Sequence, residues 1–183
     1  MNKNNTTAAN LRSAFGGESM AHMRYLAWGA DAKKQGFPHV ARLFEAVAYA
    51  EQIHAHAHFQ ELKNITGDFL VPAMAGFGKG TVVEHLQWAK AGEDYEINEM
   101  YPAFAAVAEL QGEKGALRAI RYALEAEKNH SELFGKAADL VADGQDFPDV
   151  PIVVCPVCGH TREGDAPERC PICGVPGERF ARF

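Results

Sequence analysis

The chain has 183 residues, a hydrophobic fraction of 47% and a net charge of −6. That length suits one ordinary domain with a small appendage. The acidic balance argues against nucleic acid or an anionic membrane as a partner, because phosphate contacts need clustered Lys and Arg. No apolar run approaches the roughly 18–20 residues that span a bilayer. Met1–Asn10 is polar and lacks the apolar core of a signal peptide, so the expected location is cytoplasmic.

Apolar residues recur at helical spacing as far as about residue 141. The first predicted helix covers 8–35 and stops at Gly36. Pro38, tolerated in a first turn, opens a second helix that runs to Ile65, with Gly67 as its stop. Residues 66–80 hold four Gly and one Pro and read as an irregular crossover. Thr81 and Glu84 form a capping box that opens a third helix to Gln111, kinked by Pro102. Gly112 separates it from a fourth helix over 113–141. Residues 143–151, with Gly, two Pro and three Asp, have a linker composition. From Ile152 onward the chain turns to four Cys, four Gly and four Pro. Two domains are expected: a four-helix bundle over 1–146 and a small metal-knuckle domain over 147–183.

Each predicted helix carries an apolar stripe, and acid or histidine interrupts every stripe. Glu18 interrupts the first, Glu51 and His54 the second, Glu93 and Glu96 the third, Glu127 and His130 the fourth. All seven fall near the middle of their helices, so antiparallel hairpins bring them to one layer. Burying five carboxylates together costs far more than a domain's net stability of about 5–15 kcal/mol unless positive charge compensates them. Core Lys and Arg are too few, whereas two polyvalent cations suffice. Single glutamates combined with two Glu-x-x-His motifs, Glu51–His54 and Glu127–His130, follow the logic of a dinuclear carboxylate site in a bundle. One such motif on a helix is commonplace; two on separate core faces at matched heights are not. His56 points away from His54 and is expected at the surface. His58 and His22 are expected in hydrogen-bonded core or boundary roles rather than as ligands.

All four cysteines follow residue 154, as Cys155-Pro-Val-Cys158-Gly and Cys170-Pro-Ile-Cys173-Gly. In a reducing compartment such pairs read as a metal site rather than disulfides. Four thiolates suit tetrahedral iron or zinc, and the spacing does not choose between them. A structural zinc ribbon is the plain alternative.

Gly17-Glu18-Ser19, Glu51-x-x-His54, Gly92-Glu93-Asp94-Tyr95-Glu96 with Glu99-Met100-Tyr101-Pro102, Glu127-x-x-His130 and the two knuckles together resemble rubrerythrin over nearly the whole chain. The resemblance implies a ferritin-like bundle with two non-haem iron ions and a rubredoxin-like domain with one iron in a tetracysteine site, where zinc can load in recombinant material. It implies a peroxidase that reduces hydrogen peroxide to water in oxidative-stress defence. Electrons would come through the rubredoxin-like centre from an external donor, a rubredoxin or an NAD(P)H-dependent reductase. By the same resemblance Glu51 and Glu127 bridge the irons, Glu18 binds one, and Glu93 with His130 binds the other. Glu96 and His54 are alternative ligands to the first, exchanging with redox state. Tyr25 and Tyr101 match tyrosines beside the site, with plain core packing as the alternative. Only eleven residues separate Cys158 from Cys170, short for the family. The fifteen-residue crossover reaches about 50 Å at full extension. It must match a helix of about 42 Å; a homodimer is expected, and exchange of the first helix pair between protomers would relax this span. Iron handling without peroxide, and a zinc-ribbon binding module, are the competing readings.

Overall fold

The computed structural model describes residues 5–63 and 65–183. Four long helical arms form a bundle of two antiparallel hairpins. Helix α1 (Asn5–Lys34) packs mainly on α2 (Pro38–Glu61). The third arm consists of α3 (Val82–Tyr95), a π-helical turn (Glu96–Met100) and α4 (Tyr101–Leu110), and it packs mainly on α5 (Lys114–Ala142). The expected capping box is present: Thr81 Oγ1 accepts from the Glu84 N–H, and the Glu84 carboxylate accepts from the Thr81 N–H.

One expectation about helix length needs correcting. The second helix stops at Glu61, because Lys63 turns left-handed (φ 55°) and so ends the repeat before Ile65; Asn64 lies outside the described residues. The third arm is irregular just where Pro102 predicts it, through a π turn directly ahead of the proline. A proline ring crowds the carbonyl four residues back and has no N–H to give it. The turn before Pro102 relaxes accordingly, and the Tyr101 N–H donates to the Glu96 carbonyl five residues back.

Two apolar clusters fill the bundle, one around Tyr25, Trp28, Phe44 and Phe134, the other around Leu11, Leu62, Tyr101 and Ile120. On every arm the predicted acid and histidine positions fall between them: Glu18 lies between Ala14 and Ala21, and Glu127 between Ala123 and Phe134. The apolar clusters thus clamp the polar layer from both ends. The four arms bring their acid and histidine positions together in one layer. Among the described residues no helix is long and apolar enough to cross a membrane.

After α5 the chain forms a three-stranded antiparallel sheet in the order β2-β1-β3, with β1 Ile152–Val154, β2 Thr161–Glu163 and β3 Ala181–Arg182. The segment with linker composition is pinned rather than loose. Asp146 accepts from the His39 and Val40 N–H groups, capping the start of α2, where Phe37 offers no side-chain cap. Phe147, Ile152 and Val154 are buried in the same apolar cluster as α1, α2 and α5. The small domain is therefore seated on the bundle by hydrophobic burial as well as by covalent connection.

Candidate metal centres

Glu18, Glu51, His54, Glu93, Glu127 and His130 converge in the bundle interior, each at most 2% exposed. They form two sets of potential metal donors, Glu18/Glu51/His54/Glu127 and Glu51/Glu93/Glu127/His130, with donor atoms all within 4.8 Å of one another in each set. Glu51 and Glu127 belong to both. Glu127 turns Oε1 to His54 Nδ1 at 2.8 Å and Oε2 to His130 Nδ1 at 2.6 Å. Glu51 does the same with Oε2 and Oε1, at 3.0 and 3.4 Å. Glu96 starts the π turn and belongs to neither set; His54, not Glu96, completes the first.

The outer carboxylates are held by phenols. The Tyr25 hydroxyl donates to Glu93 Oε1 at 2.6 Å, and the Tyr101 hydroxyl to Glu18 Oε1. Tyr101 also lies 3.0 Å from His58 Nε2, so buried His58 is a partner of that phenol. His22 donates from Nδ1 to the Ala48 carbonyl at 2.7 Å, and His56 is exposed.

Burial, then the charges of neighbouring glutamates, pushes the Glu18, Glu93 and Glu96 carboxyls well above the ordinary 4.5. Burial would also raise Glu127, but His54 and His130 outweigh it and hold its carboxyl down. Burial would lower the two imidazoles, yet Glu127 and its neighbours drive both up, His130 to about 10. The layer is short of positive charge. Glu18 Oε2 is a buried oxygen without a hydrogen-bond donor, and Glu51 Oε1 and Glu127 Oε1 face only the His130 and His54 imidazoles. Two adjacent cations meet all these demands together, and hard oxygen and imidazole donors suit divalent iron.

The orientation of the histidines comes from the small domain. His54 Nε2 lies 3.0 Å from the Cys158 carbonyl oxygen, and His130 Nε2 lies 3.0 Å from Thr161 Oγ1 and 3.3 Å from the Gly159 carbonyl. Thr161 Oγ1 donates to Gly159, so it accepts from His130. Both rings thus aim Nε2 at the small domain and leave Nδ1 facing the carboxylate layer, the anchoring expected of imidazoles that offer Nδ1 to a metal. Sequence patterns did not single out Thr161, the residue after His160; its role follows only from the seating of the knuckle.

Cys155, Cys158, Cys170 and Cys173 bring their sulfurs within 4.8 Å of one another. Two S···S separations are 3.5 Å, near the edge of about 3.8 Å for a tetrahedron with metal–sulfur bonds of about 2.3 Å. Gly159 and Gly174 (φ 75° and 76°) close the knuckles, their N–H groups donating to the Cys155 and Cys170 carbonyls. Hydrogen bonding from Cys158, helped by the Val157 and Cys158 N–H groups, brings the Cys155 thiol down to about 5, favouring the thiolate that binds metal.

Family models for rubrerythrin and for the rubrerythrin rubredoxin-like domain match residues 9–138 and 154–181. Rubrerythrin-2 of Clostridium acetobutylicum is 48% identical over 181 residues, covering 99% of this chain and 98% of that protein. Nigerythrin of Nitratidesulfovibrio vulgaris is 34% identical, covering 97% of this chain and 87% of that protein. The solved fully reduced, all-ferrous state of nigerythrin superposes with a TM-score of 0.86 at 33% identity, over 97% of this chain and 86% of that chain.

Proposed function

Because the chain belongs to the rubrerythrin family, whose members carry a di-iron centre and a four-cysteine rubredoxin-like centre, we propose that it reduces hydrogen peroxide to water with electrons passed from the cysteine centre to the bundle. Glu51 and Glu127 would bridge the two irons, Glu18 and His54 would complete one coordination set, and Glu93 and His130 the other. Glu96 stands in reserve beside the first set. When bound, the iron pair would supply two electrons, the number needed to break one O–O bond.

The protein's own groups do the rest. Tyr25 and Tyr101, kept as neutral phenols first by burial and then by the adjacent glutamates, donate hydrogen bonds to Glu93 and Glu18 and fix their rotamers. His58 holds the Tyr101 hydroxyl from its far side. The apolar clusters above and below keep bulk water from the layer. The observation that carries the reading is the His54–Cys158 contact. One residue supplies a sulfur to the cysteine centre and a carbonyl to the imidazole at the iron site. An electron needs only that residue, one hydrogen bond and one ring to cross.

Stopped-flow oxidation of the fully reduced protein tests the reaction. It should be faster with peroxide than with air, and equal rates would return the chain to simple iron handling. Cys158→Ser tests the route. The variant should keep the bundle's single-turnover oxidation by peroxide but lose turnover fed by an external donor; retained donor-fed turnover rules out the relay.

A further inference from the structure

We propose that Tyr25, Trp28 and Trp88 form an outward path for an electron hole, by which the Trp88 indole supplies the second electron to peroxide when the iron pair holds only one. The inference rests on the peroxide reading above.

The path starts at the Tyr25 hydroxyl, bonded to Glu93. Ring centroids are 6.0 Å apart from Tyr25 to Trp28 and again from Trp28 to Trp88, inside the span of about 4.5–7 Å for packed aromatic pairs. The His85 imidazole lies flat on Trp28 at 5.1 Å and 11°, and 6.0 Å from Trp88, filling the corner between the indoles. Tyr25 and Trp28 are buried and Trp88 is half-buried, so the rings run from the iron layer toward solvent. Packing alone would accept phenyl rings along this line. The neighbours that lead nowhere, Phe44 and Phe134 at 5.8 and 5.2 Å from Tyr25, are phenyl; every ring on the outward line is an oxidisable phenol or indole.

Proton placement sets the direction. On losing an electron Tyr25 can pass its proton to Glu93 and recover it when Trp28 reduces the phenoxyl. The Trp28 Nε1–H donates to the Gly78 carbonyl, which cannot take the proton, and the Arg24 guanidinium lies 5.0 Å over the same ring. Positive charge therefore cannot rest on Trp28. At Trp88 the indole can release its N–H proton to water. The balance is complete: peroxide takes one electron from the single ferrous ion and one from Trp88, together with two protons. The O–O bond breaks, two waters form, the ion becomes ferric and the indole becomes a neutral radical. A low-molecular-weight thiol restores it by giving up a hydrogen atom; without thiol, dioxygen adds to the ring.

The test compares fully reduced and half-reduced iron-loaded protein, each mixed rapidly with peroxide. Electron paramagnetic resonance and peptide mass mapping in air provide the readouts. The half-reduced protein should give an indole radical and oxygen addition concentrated on Trp88. Trp88→Phe should lose that adduct, prolong the radical and shift damage to Trp28 and Tyr25, with donor-fed turnover of the fully reduced enzyme unchanged. Peroxide consumption without an indole radical overturns the path alone. So does oxygen addition on the exposed Met23 and Met74 in place of Trp88, or an unaltered radical in Trp88→Phe. Failure of the fully reduced protein to consume peroxide overturns the peroxide reading, and the path with it.

Discussion

Glu51 and Glu127 each offer one oxygen to each histidine, so removing either strips both donor sets at once. Glu127→Ala should lower bundle iron from about two ions per chain to about one or fewer, leaving the cysteine centre loaded. Metal analysis with the visible spectrum of the cysteine centre reads both, and full bundle occupancy would show that Glu127 is no bridge. The seven acid and histidine positions were legible in the chain because charge on an apolar stripe stands out. Glu96 shows the limit of that legibility. Its i+3 spacing from Glu93 gives it the same standing as the others, and burial beside Glu18, Glu127 and Glu51 raises its carboxyl, while its oxygens lie beyond the two four-donor sets.

At the level of elements, the decisive contact is between the first cysteine knuckle and the α2 and α5 histidines. Gly159 lies against the His54 ring, and a Cβ there would collide with Nε2. Its φ of 75° adds a further penalty of about 1–2 kcal/mol for any side chain. Gly159→Ala should therefore lift the knuckle from the bundle. Both metal centres should still load, while donor-fed reduction of the bundle iron slows by about tenfold to a hundredfold. Stopped-flow absorbance reads this, and unchanged re-reduction would mean that electrons bypass the His54–Cys158 contact. A glycine after the second cysteine was expected for the knuckle turn itself. Its second duty, clearance for a histidine about a hundred residues earlier, has no trace in the local pattern.

For the whole molecule, the acid layer makes stability depend on metal and on pH. Folding raises the Glu18, Glu93 and Glu96 carboxyls above the ordinary 4.5, so the metal-free fold keeps protons that the unfolded chain releases. Their stabilisation is full below pH 4.5 and is lost as pH rises through the folded values. His54 and His130, also raised, act in the same direction above 6.5. Glu127, held down, acts oppositely below 4.5, and His58 and His160, pulled down by burial to about 3 and about 4, act oppositely below 6.5. Cys155, lowered to about 5, also acts oppositely between about 5 and the ordinary 9, whereas Cys158, raised, acts only above 9; the three carboxyls outnumber these opposing groups. The metal-free protein should thus lose about 5 °C or more of melting temperature between about pH 5 and about pH 8, with each kcal/mol worth about 2–4 °C. The iron-loaded protein should stay flatter. Calorimetry decides, and a metal-free melting temperature that rises over this interval contradicts the assignment of these shifts. The sequence by itself determined the helical arms, the identity of the buried donors and the cysteine knuckles, because periodicity, charge on an apolar face and Cys-x-x-Cys spacing are local signals. The tertiary structure alone decided that the segment after α5 is fastened by Asp146 and Phe147, that Cys158 and Thr161 orient the two histidines, and that three oxidisable rings line up toward the surface. Those facts join residues far apart in the chain, and only packing brings them into contact.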